Sequence, residues 1–184
     1  MKHSYLTSIN KQFDYYKRLG DKTFEQLNLS ELQREFKTDS NSIAIIVMHI
    51  SGNMLSRWTD FLISDGEKPW RQRDLEFEDC FNSKADIIDA WEQGWNCLFN
   101  VIQSLSIEDL ERIVYIRNQG HTVTEAINRQ MMHYAYHIGQ IVFLGKLIKG
   151  SDWVSLSIPK GHSSSYNKEK FNTIKSRQHF TDDL

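Results

Sequence analysis

"TVTEAINRQMMHYAYHIGQIVFLGKLIKG", residues 122 to 150, reads as one long helix with both ends marked. Thr122 and Glu125 have capping-box spacing, in which each side chain satisfies a backbone N–H that the first helical turn leaves unpaired. Gly150 supplies a C-terminal stop. Between them Tyr134, Ile138, Ile141, Leu144 and Ile148 recur every three or four residues and predict an inward stripe. The same helix carries two histidines, His133 and His137, four positions apart. Four residues slightly exceed one turn, so the two imidazoles lie one above the other on a single face.

Three more long helices emerge on the same periodicity. The first spans about Tyr5 to Leu27, with Leu6, Ile9, Phe13, Tyr16 and Leu19 in register. "KTDSNS" offers capping residues ahead of a second, about Ser42 to Ser64, with Ile46, Ile50, Met54 and Phe61 on one side. Asn82 or Ser83 caps a third, whose stripe is Ile88, Trp91, Trp95, Leu98 and Ile102, ending at Leu105. "SIEDLERIV" reads as a short turn capped by Ser106, and "RIVYIRN" (112–118) leans towards strand without displacing the helical reading. Only two prolines, Pro69 and Pro159, interrupt the chain.

These stripes predict an all-α four-helix bundle. The connection Asp65–Asn82 has eighteen residues, too many for a tight turn. At roughly 3.3 Å per residue it can cross the length of a bundle, which lets helices two and three run parallel. We expect residues 1–167 to form the bundle, with Trp153 and Ile158 docking the start of the C-terminal segment, and 168–184 to be a polar, frayed tail.

Composition narrows the function. A net charge of -2 and a pI near 6.4 give no phosphate-seeking surface, so nucleic acid is not expected as a partner. No apolar run is long enough for a transmembrane helix, and the N-terminus lacks a signal peptide's apolar centre. Cys80 and Cys97 form no C-x-x-C pair; two reduced thiols in a cytoplasmic protein are expected. No G-x-S-x-G, P-loop or dinucleotide fingerprint occurs. Asp74, Glu76, Glu78 and Asp79 read as a solvated acidic loop, with an outer role at a site as the alternative.

The histidines carry the sharpest signal. On the helical wheel His137 lies in line with Gln130 and Leu144, and His133 about 40° away, so both point inward. A third, His49 in "IAIIVMHISGN", is flanked by Ile45, Ile46 and Asn53 on its own wheel. Three neutral imidazoles from two facing helices are the usual protein share of an open metal site. Core histidines hydrogen-bonded to neighbouring helices are the competing reading. His3, His121, His162 and His179 are poorer candidates by position. Tyr134 stands where H-E-x-x-H would need a glutamate base, which disfavours peptide hydrolysis.

"VMHISGN" on the second helix and "HYAYHIGQI" on the last resemble the DinB/YfiT-like superfamily of metalloenzymes. "GEKPWRQRDLEFED" and "WVSLSIPKGHSSSYN" look like one uncharacterised bacterial branch of it, over about residues 1–167. The resemblance implies up-down-down-up helix order and one divalent metal, zinc or nickel, held by His49, His133 and His137. It also implies a homodimer, and relatives that use low-molecular-weight thiols such as bacillithiol.

The expected function is therefore a metal-dependent transferase that moves a thiol onto small electrophiles. A metal with an open position lowers the pKa of a bound thiol, so the protein itself needs no nucleophile. A metal-dependent hydrolase is the nearby variant. A non-catalytic, stress-related binding bundle is the alternative from a different class, with the metal absent or structural; a structural metal would want a fourth protein ligand.

Overall fold

The computed structural model describes residues 4–37 and 40–182 and is mostly helical. In chain order the elements are α1 (Ser4–Glu25), α2 (Leu29–Leu32), α3 (Ile43–Trp58), α4 (Lys84–Ser104), β1 (Ile113–Ile116), β2 (Gln119–Thr122), α5 (Val123–Lys149) and α6 (Ser163–Phe171). The four long helices pack around one core: α3 lies against α4 and α5, and α1 against α5 and α4. No helix is long and apolar enough to cross a membrane among the described residues.

The caps fall where the sequence places them. Thr122 accepts from the Glu125 N–H (3.1 Å) while the Glu125 carboxylate accepts from the Thr122 N–H (2.8 Å). Ser83, not Asn82, caps α4, and Gly150 closes α5 with a φ of +56°. Ser42 caps α3; Thr38 and Asp39 of "KTDSNS" lie outside the described residues, as does His3.

Two expectations change. α3 stops at Trp58, not Ser64, because Thr59 turns extended and Asp60 adopts a left-handed φ of +51°. Phe61 keeps the helical spacing because it folds back to pack on Trp58, with ring centroids 4.9 Å apart. The strand-leaning stretch at 112–118 does pair: β1 and β2 form an antiparallel hairpin with Ile113 opposite Thr122 and Ile116 opposite Gln119. An all-α reading thus misses one small sheet. Its two-residue turn places both Arg117 and Asn118 at positive φ, as a type I′ turn requires. Arg117 pays a steric penalty there that a glycine would avoid. The Asp65 carboxylate holds the tip by accepting from both backbone N–H groups at 2.8 Å.

The core centres on rings. Phe13 sits 6.1–6.3 Å from Trp58, Trp95 and Tyr134, and Trp91 stacks edge-on with both Phe24 and Trp95. Gly94 lets α3 and α4 approach closely, since a Cβ there would stand 3.0 Å from the Ser51 Cα. Past α6, the chain returns to α1, where His179 bonds Ser8 (3.0 Å), Asp182 pairs with Lys11 and Phe180 packs on Tyr15.

Candidate metal centre

α3 and α5 bring three imidazoles to one point. His133 Nε2 lies 3.4 Å from His49 Nε2 and 3.1 Å from His137 Nε2. The potential ligand atoms of all three residues lie within 4.8 Å of one another, so the triad could hold a metal ion. His121, His162 and His179 do not join it: His121 meets Arg129, His162 borders α6, and His179 sits on α1.

Outer partners fix which ring nitrogens carry protons. Glu76 Oε2 lies 3.0 Å from His49 Nδ1, and a carboxylate only accepts, so His49 donates from Nδ1 and keeps an Nε2 lone pair. His137 Nδ1 donates to Gln140 Oε1 at 2.9 Å, which leaves its Nε2 as a lone pair too. His133 Nε2 therefore faces two acceptors and can donate to only one of them. The leftover contact opposes lone pairs, an arrangement that a shared cation relieves. A tetrahedral ion with bonds of about 2.0–2.1 Å to nitrogen sets N···N edges of about 3.3–3.4 Å, close to both observed separations. The donor set fits a borderline metal, since imidazole suits zinc and nickel better than hard cations.

Burial favours the neutral form of the two α5 rings. The His133 pKa is pushed down to about 3, first by desolvation and then by His137, His49, Arg57 and Arg71. Desolvation also lowers His137, against a raising contribution from its bond to Gln140. Neutral imidazole is the form that binds a metal.

Glu76 follows the alternative reading of its acidic stretch, an outer role at the site, and overturns the leading one. It does not lie in a solvated acidic loop: it is buried, with the His49 bond on one side and Arg71 on the other at 2.7 and 2.9 Å. Burial alone would raise its pKa, but the hydrogen bonds from His49 and Arg71 hold it below the usual carboxylate range. Gly52, one turn after His49, makes the room, for a Cβ there would stand 2.5 Å from a Glu76 oxygen. The 3₁₀ turn Arg73–Phe77 carries the carboxylate into place, and Phe77 stacks on the His49 ring with centroids 5.0 Å apart. Only the missing side chain at Gly52 signals this in the sequence, and it does so only once α3 and the crossover are packed together.

With that geometry in hand, comparison with known proteins places the chain in a family. Residues 1–162 match the family model described as "Protein of unknown function (DUF1572)", and the chain belongs to that family. No curated protein and no solved structure matches it.

Proposed function

We propose that the protein is a divalent-metal-dependent enzyme, with zinc or nickel held by His49, His133 and His137, that transfers a low-molecular-weight thiol to a small electrophile. The observation that carries this reading is the convergence of three Nε2 atoms, with those of His49 and His137 left as lone pairs by Glu76 and Gln140. When bound, the metal would lower the pKa of a thiol so that a thiolate is available at neutral pH. The chain's own part is to keep the His133 and His137 rings neutral, orient His49 and His137 through Glu76 and Gln140, and wall the site. Three ligands rather than four leave a coordination position open, which favours catalysis over a structural role.

A hydrolase ranks below the transferase. The site's one nearby carboxylate among the described residues is not free to serve as a general base, since both Glu76 oxygens are committed to His49 and Arg71. The DinB/YfiT-like resemblance supports the same ligand set and an up-down-down-up helix order, consistent with the long passage between α3 and α4. It also supports a homodimer, for which the exposed apolar stripe Met132, Tyr136, Phe143 and Leu147 on α5 is an available face.

Calorimetric titration with zinc and with nickel, beside a thiol-transfer screen, tests the reading. One equivalent should bind wild type, and His137→Ala should weaken binding by more than about a hundredfold, since losing a ligand exceeds the 10–100-fold of outer partners. Transfer should fall with it. Circular dichroism after chelation should keep the helical signal, because the apolar core carries the fold. Equal metal affinity in wild type and His137→Ala would end the proposal.

A further inference from the structure

Beside the triad opens a cavity of about 220 Å³ into which His49 and His133 both face. Five arginines wall it, delivered by separate parts of the chain: Arg57 from α3, Arg71 and Arg73 from the crossover, Arg117 from the hairpin tip and Arg129 from α5. Asn53 and Gln130 complete the lining, and no carboxylate contributes among the described residues. Like charges gathered in this way repel one another, so the arrangement calls for a compensating anion.

The protein supplies that compensation only in part. Glu67 accepts from Arg57 (3.2 Å) and Arg117 (3.1 Å) and lies 3.7 Å from Arg71. Glu76 takes Arg71. Asp65 spends its oxygens on the backbone N–H groups of Glu67, Arg117 and Asn118. Five guanidiniums thus meet two carboxylates, and even with Asp65 counted nearby a surplus of two positive charges is left. Arg73 and Arg129 account for the surplus. Arg73 lies over the Phe77 ring at 5.3 Å and Arg129 meets His121 Nε2 at 3.2 Å, and neither has a carboxylate partner among the described residues.

A second observation points to a ligand. Arg57 Nε and Gln130 Oε1 are buried without a hydrogen-bond partner among the described residues, in side chains of residues only 6% and 4% exposed. Buried polar atoms are nearly always paired, and of these two Arg57 Nε, on a residue that lines the cavity, is a guanidinium donor of the kind an anion accepts from.

We propose that this cavity binds the anionic end of the small-molecule substrate, a carboxylate or phosphate group, and sets the rest of that molecule against the histidine triad. The planar guanidinium fork matches both groups through paired, charge-assisted hydrogen bonds. Small-molecule pockets usually run to about 300–1,000 Å³, so this one suits a charged head group whose remainder extends outward. Its meaning as a substrate subsite rests on the triad being the reaction centre; its capacity to bind an anion does not.

The test uses full-length, chelator-treated protein titrated calorimetrically with inorganic phosphate and, separately, succinate at fixed ionic strength, with chloride as the comparison. Saturable binding of at least one is expected, and the stronger of the two identifies the group. Arg73→Gln/Arg129→Gln should weaken it about tenfold or more, as charge-assisted hydrogen bonds are lost, with helical dichroism unchanged. Both positions are exposed, so the double variant should fold. His137→Ala lies outside the cavity lining and should keep anion binding while losing metal. Absence of saturable binding to wild type, or equal affinity in the double variant, overturns the proposal. Anion binding without metal binding would leave this site standing and remove the metal reading; the reverse result would do the opposite.

Discussion

Tyr134 and His133 are neighbours on α5, yet they face regions built on opposite rules. Tyr134 is fully buried among rings, and its hydroxyl accepts from Trp58 Nε1 and donates to Asn53 Oδ1, both at 3.0 Å. The rings around it meet edge-on, an arrangement that aromatic quadrupoles favour. His133 faces imidazoles and guanidiniums, two of whose close neighbours carry unpaired buried atoms. One side of the helix is closed and packed with rings, although Trp95 Nε1 there is buried without a hydrogen-bond partner among the described residues. The other is held open, charged and incompletely satisfied. The aromatic core and the histidine–arginine site thus occupy adjacent faces of one helix, joined at Asn53, which bonds Tyr134 and also lines the cavity.

The widest separation of the two faces should come from Trp95→Ala. Trp95 is wholly buried, and its ring contacts Phe13, Trp91, Phe99 and Tyr134. Truncating such a side chain costs about 3–5 kcal/mol through lost burial and the cavity left behind. Urea unfolding should show that loss, while zinc affinity of the folded variant stays within a few-fold of wild type. A matched collapse of metal affinity would mean the two faces are one cooperative unit, and the comparison would fail.

Glu76→Gln approaches from the other face. The amide keeps the shape but surrenders the charge that fixes His49 and anchors Arg71. Loss of an outer carboxylate costs about 10–100-fold in metal affinity, or about 1.4–2.7 kcal/mol. Gly52→Ala should act in the same direction through sterics alone, by driving a methyl group into the carboxylate. Unchanged metal affinity in both variants would show that Glu76 serves Arg71 and not His49.

The difference between the faces also explains what could be read in advance. α5, its capping box and its Gly150 stop are local signals, as is the i, i+4 pair His133 and His137. His49 joins them because its wheel is apolar. The hairpin shows in the sequence only as a strand lean at 112–118, because β1 is apolar throughout, both strands have four residues and the turn lacks glycine. Glu76 and the arginine cavity escape such reading for a different reason. They come from a crossover without periodicity, a hairpin tip and two helices, and only packing brings them together.

The smallest effect should be that of Cys97→Ser. Cys97 sits half-buried on α4, its sulfur 3.7 Å from Thr59 Oγ1. Burial raises its pKa, with Thr59 and Lys68 only partly opposing, so the group stays a thiol at neutral pH. A thiol is a poor nucleophile beside a thiolate, which removes the best protein-borne competitor to an external thiol. Serine keeps a hydroxyl within reach of Thr59, and stability should change by less than about 1 kcal/mol, as for a change that creates no large cavity. Any thiol-transfer rate should stay within about twofold, well below the effect of losing a nucleophile. Iodoacetamide offers an independent check: exposed Cys80 should alkylate first and Cys97 slowly. Rapid labelling of Cys97 together with loss of activity in Cys97→Ser would relocate the nucleophile from the substrate to the protein. The triad would then hold or polarise the electrophile, and the closed face of the bundle would no longer be free of chemistry.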